Sequence, residues 1–160
     1  MNSQFKELSD GLLIMADGVG LCQEFKDKWH YSSTDELIEL FKANPDWCLE
    51  RSYPSLAFME EYFDTDKVRG EGIYISQNLS GEILDEQVYI FINCTGKATI
   101  RFDMGKCIFP MIYMSHGSDI EFVIDGSITP IELYDDSKVH TECINGGKVK
   151  IRYNINYWEK

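Results

Sequence analysis

The residues able to do chemistry are few, and each also has an ordinary structural use. The chain holds three histidines. His30 closes a predicted helix, where a cation suits the negative end of the dipole. His116 stands in a turn with Ser115, Ser118 and Asp119. A His–Asp pair there could polarise a hydroxyl, although Ser, His and Asp are also common turn formers. His140 and Glu142 share one face of a predicted strand and Cys143 points to the other, so only two potential metal ligands coincide. Asp103, Asp125, Asp135 and Asp136 recur at strand ends, as in a calcium ladder. The Gly-Gly-x-Gly-x-Asp repeat of calcium-binding solenoids is missing, and Asx turns account for these acids without a metal. Gly18-Val19-Gly20 has Gln23 where a dinucleotide fingerprint needs its third glycine. No P-loop, nucleophile elbow or H-E-x-x-H motif occurs. No catalytic residue, metal ligand or cofactor site is therefore predicted.

Five cysteines, Cys22, Cys48, Cys94, Cys107 and Cys143, are odd in number and never at C-x-x-C spacing. They read as reduced thiols used as small hydrophobes, which suits a cytoplasmic location. The glycosylation triplets at Asn78 and Asn93 carry no meaning without a secretory route. Gly11 to Ala16 is too short for a signal sequence and follows acids, and no run of about 18 apolar residues could span a membrane.

The net charge of −12 is unevenly spread. Residues 1–84 carry 7 basic and 16 acidic side chains, a balance of −9, and residues 85–160 carry 8 and 11, a balance of −3. Such a field disfavours a phosphate backbone and points to a basic protein partner, with no direct nucleic-acid or membrane contact.

The elements that must position these residues fall into two kinds. Leu21, Phe25 and Trp29 make one helical stripe. Ser33-Thr34-Asp35-Glu36 is a capping box ahead of Leu37 to Phe41, and Asn44-Pro45 stops that helix. Trp47, Cys48 and Leu49 supply another apolar face. Tyr53-Pro54-Ser55 opens a further helix with Leu56, Met59, Tyr62 and Phe63 on one side. Asp64 to Gly72 reads as a charged connector, and Gly72 to Ser76 as a first strand. The helical region is assigned to 1–68 and the β region to 69–160, within one compact unit.

From Asp85 onward the chain cuts into tens: DEQVYIFINC, TGKATIRFDM, GKCIFPMIYM, SHGSDIEFVI, DGSITPIELY, DDSKVHTECI and NGGKVKIRYN. Gly117, Ser127, Ser137 and Gly147 form a column, and period-2 alternation follows, as in Val88, Ile90 and Ile92 or Ile120, Phe122 and Ile124. In an antiparallel sandwich or barrel, Asp125-Gly126 and Asn145-Gly146 would be hairpin turns. In a β-solenoid they would be corners, and alternate members of the column would stack about 4.8 Å apart. Spacing alone leaves the two near even.

The stretch Trp29, Ser33 to Ile38, Phe41, Trp47 to Glu50, Tyr53 to Ser55, Phe58 and Phe63 resembles the helical front of short uncharacterised proteins of gut bacteria and their phages. Decapeptide-like β-repeats follow that front and resemble Gly117 to Tyr153 here. The resemblance implies an α+β chain with helices capping a β-solenoid, and a phage, prophage or mobile-element origin. It implies no activity. Lys97, Cys107 and Pro110 break the repeat, which puts one coil in question.

These features suggest a non-enzymatic binding or assembly module that meets a protein partner through Glu60, Glu61, Asp64 and Asp66. An acidic mimic that inhibits a host defence or nucleic-acid enzyme is an alternative. A third is an enzyme with a groove beside the stack, using His116 or His140. The aromatics Phe109, Tyr113, Tyr134, Tyr153, Tyr157 and Trp158 exceed what a narrow solenoid holds inside. An open coil end needs covering, so Asn154 to Trp158, with Tyr157 and Trp158 as contacts, would close it or pair with a second copy.

Overall fold

A computed structural model of the chain describes residues 34–106 and 109–155. The predicted helix over 21–29, its histidine at 30, the Gly18 turn and Ser33 lie outside them, as do Cys22, Cys107, Tyr157 and Trp158. The chain divides into two compact units between Phe63 and Asp64, where the sequence reading put a boundary at residue 68 inside one unit.

The first unit carries α1 (Thr34–Ala43), α2 (Pro45–Glu50) and α3 (Leu56–Tyr62). Asp35 and Glu36 lie in the first turn of α1, where the dipole favours acids. Asn44 donates from Nδ2 to the Leu40 carbonyl as α1 ends, and Pro45 occupies the first turn of α2. Ser55 Oγ accepts from Phe58 N at 3.2 Å and starts α3. Leu37, Ile38, Phe41, Cys48, Leu49 and Met59 are buried in this unit.

In the second unit the supposed connector folds as α4 (Thr65–Gly70), capped by Asp64, whose carboxylate accepts from Asp66 N and Lys67 N. Among the described residues nine strands follow: β1 (Ile73–Ile75), β2 (Asn78–Leu84), β3 (Val88–Ile92), β4 (Thr95–Arg101), β5 (Met111–Ser115), β6 (Asp119–Asp125), β7 (Ile128–Leu133), β8 (Lys138–Ile144) and β9 (Lys148–Tyr153). Every pairing is parallel. Odd strands form one sheet, β1-β3-β5-β7-β9, and even strands the other, β2-β4-β6-β8. Each coil uses two strands, so the chain makes four coils of a β-solenoid and one further strand. The ten-residue cadence counts strands and covers half a coil. Coiling begins before Asp85, since β1 and β2 already form a complete turn.

Parallel pairing removes the sandwich. Asp125-Gly126 and Asn145-Gly146 are corners, with Gly126 N donating to the Ile144 carbonyl one coil on. Ser127 and Gly147 stack as expected, because Ile128 pairs with Lys148. Ser137 lies level with Ser118 rather than Gly117, because Asp119 pairs with Lys138 and that coil is one residue shorter. Tight stacking sets composition at Gly147, where an added Cβ would sit 2.2 Å from the Ile124 carbonyl oxygen.

Between the sheets lie Phe91, Met114 and Leu133 from the odd strands and Ile100, Phe122 and Ile124 from the even ones. The alternation of Val88, Ile90 and Ile92 belongs to the opposite face, since Tyr89 and Phe91 point into the core. Phe91 meets Tyr74 at 5.0 Å and Phe122 at 5.7 Å between ring centres.

Candidate functional site

The repeat fails between β4 and β5, and the surface there is unlike the rest. Cys94 reaches Ser118 across a coil of 24 residues, against 17 between Ser76 and Asn93 in the first coil. The coil in question therefore persists, with its extra residues in the loop leading to Pro110. Asp103 Oδ1 accepts from Gly105 N at 2.8 Å to turn that loop. Lys106 Nζ then reaches back to Glu86 at 2.8 Å and Asp85 at 3.1 Å, and these carboxylates raise its pKa. Phe102 and Phe109 stack at 4.4 Å.

Beside this loop runs a groove of about 490 Å³ lined by Gln87, Val88, Phe109, Met111, Ile128 and Pro130. Its cause is local. Pro130 has no N–H to give a neighbouring strand, and β5 pairs with β7 only over Ile131 to Leu133, whereas β9 pairs with all six residues of β7. The sheet opens ahead of Ile131, leaving Phe109 48% and Ile128 57% exposed. The lining holds no acid or base, so it suits nonpolar contact and no proton transfer.

His116 does not gather the groups proposed for it. Ser115 Oγ lies 2.9 Å and Asp135 Oδ2 3.7 Å from the same ring atom, Nδ1. A relay needs the hydroxyl and the orienting acid on different ring nitrogens. Ser118 Oγ instead donates to the Ser115 carbonyl and accepts from Cys94 N, and Asp119 pairs with His140. The role of His116 lies in its backbone. Ser76, Asn93, His116 and Asp135 occupy equivalent corner positions on successive coils, with φ of 52°, 54°, 56° and 53°. This left-handed column, at positions where small polar and ring side chains are tolerated, escaped the sequence reading because its residue types differ at every coil. Burial lowers the His116 pKa, opposed by the Asp135 charge.

His140 lies on the outer face of the even sheet, 3.1 Å from Asp119 Oδ1. A shallow hollow nearby is lined by Lys97, Glu121, Val123 and Glu142. This face mixes both signs, with Lys97 3.9 Å from Glu121. Among the described residues no group of three or more His, Cys, Asp or Glu could hold a metal ion. Asp125 accepts from Asn145 Nδ2, and Asp135 and Asp136 both have positive φ, so these acids build corners.

Cys48 and Cys94 are buried, and desolvation raises both thiols, that of Cys94 to about 11; Cys143 is exposed. Glu60, Glu61, Asp64 and Asp66 are all exposed, but they divide between the units: the first two end α3, and the second two begin α4. Asp64 is spent on its cap, and Asp66 pairs with Arg69 at 3.2 Å. Among the described residues no helix is long and apolar enough to cross a membrane. Compared with protein-family models, curated proteins and solved structures, the chain matches none.

Proposed function

We propose that the chain is a non-enzymatic binding or assembly module, of phage, prophage or other mobile-element origin, that meets a basic protein partner. Glu60, Glu61, Asp64 and Asp66 would carry the contact. The observation behind this reading is that each of the four carboxylates is exposed on its own unit, in a chain with net charge −12. A paired solenoid supports it as a stiff frame, since five of the nine described strands are held on both sides. The mixed signs on the outer face of the even sheet favour it over mimicry of a phosphate backbone, which needs a continuous negative array.

Affinity capture with the full chain tests the proposal. A basic partner should be retained at about 0.1 M salt and released at about 0.5 M, where the screening length roughly halves. Glu60→Lys/Glu61→Lys should abolish capture while leaving the circular dichroism unchanged. Capture insensitive to both salt and charge reversal would refute it.

A further inference from the structure

We infer that the free edge of β9 is a docking strand for an acidic, extended segment of a partner protein. Among the described residues no strand pairs with β9 beyond β7. Lys148 N donates to the Ser127 carbonyl and Asn154 N to the Leu133 carbonyl, each at 2.8 Å. Alternate residues of a parallel strand address alternate neighbours. The even-numbered residues therefore turn their main chain to β7, and Val149, Ile151 and Tyr153 turn theirs to the open side. Three consecutive N–H and C=O pairs are thereby offered to an added strand.

Side chains specify which strand. Val149 and Ile151 are half-buried against the core, and an apolar residue beside each would continue the rows that end there. On the other face Lys148, Lys150 and Arg152 are exposed, three of the 15 cations of the whole chain on six residues. Cross-strand pairing of opposite charges already operates in this column, where Arg152 Nε donates to Glu132 Oε2 at 2.7 Å.

The same cations disfavour a second copy. When two β9 edges pair antiparallel, residues whose main chains face the edge must pair with one another. Odd numbers then oppose odd, and even oppose even. Every such register sets Lys148, Lys150 or Arg152 against like charges or against nothing. A strand alternating acidic and apolar residues satisfies the backbone, the core rows and the cations together. This surface is separate from the acidic segment proposed above, so either can fail alone.

The test uses the full chain and a labelled peptide alternating Glu with Val, read by fluorescence anisotropy. Binding is expected, weakened about tenfold or more in Lys148→Glu/Lys150→Glu, which should instead take the peptide alternating Lys with Val. N-methylation of alternate peptide amides should abolish binding, because it removes the donors that a new ladder needs. Equal binding of a scrambled peptide would overturn the inference in favour of plain charge attraction. Binding of neither peptide would overturn it by leaving the cations as a guard on the edge. A dimer in light scattering that vanishes in the same double variant would show that a second copy holds the edge.

Discussion

The two sheets of the solenoid share a core, yet their outer faces obey different rules. On the even sheet β4 and β6 alternate, with Ala98, Ile100, Ile120, Phe122 and Ile124 buried and Lys97 and Glu121 exposed. On the odd sheet β3 is buried on both faces, so that Ile90 and Ile92 are as enclosed as Tyr89 and Phe91. A strand buried on both sides reads as a continuous apolar run, Val88 to Ile92, and one buried on a single side reads as alternation. The odd sheet also changes along its length. The register column Ile73, Ile90, Tyr113, Glu132, Arg152 passes from aliphatic to charged. Enclosure nevertheless persists through Glu132, which is 8% exposed, and ends at Arg152 on β9.

Substitutions that break this comparison should do so in graded steps. Phe122→Ala, at the shared core, should cost about 3–5 kcal/mol in urea unfolding. Ile90→Ala on the enclosed outer face should cost about 2–5 kcal/mol, whereas Val123→Ala on the solvated one should cost about 1 kcal/mol or less. Equal losses at Ile90 and Val123 would erase the distinction between the faces. Gly147→Ala, at a corner joining the sheets, should cost about 1–3 kcal/mol because backbone must move from its new Cβ.

Smaller still is a pH effect at the corner column. His116 is neutral in the fold more readily than in the unfolded chain, through burial and despite Asp135. Its contribution is complete above the ordinary value of 6.5 and is lost as pH falls through that value toward the lowered one. His116→Asn, which keeps a residue tolerant of positive φ, should flatten the acid limb of a melting-temperature profile below pH 6.5. At the low end, Lys97→Ala should leave stability within about 0.5 kcal/mol, since its ion pair at 3.9 Å is exposed.

Period-2 alternation in Ile120, Phe122 and Ile124 made β6 legible, and turn residues every ten positions made the coil count nearly so. The same signal in Val88, Ile90 and Ile92 marked a strand but left its inward face open, because a two-sided strand offers two alternating sets and pattern alone does not say which faces the core. β2 was missed because Gly81 and a register shift between Ser80 and Glu82 interrupt its alternation. The groove was half visible: Cys107 and Pro110 flagged a broken repeat, but its lining joins Val88, Met111 and Pro130 from three coils. The acidic residues were legible as exposed from charge alone. Their division between two units was not, since the charged connector beginning at Asp64 folds as a helix of the second unit.

The sequence by itself determined that helices precede a stack of short strands, that the strands end in corners of Gly, Ser, Asn and Asp, and that the charge is strongly negative. Those properties live in neighbouring residues and in sums. Only the tertiary structure decided that the corners advance the chain in parallel coils, that His116 joins Ser76, Asn93 and Asp135 in one column, and that β9 has no second neighbouring strand among the described residues. Each depends on which residues meet across 17 to 24 positions. Register between coils is set by the summed lengths of two strands and two turns, a quantity that no local pattern encodes.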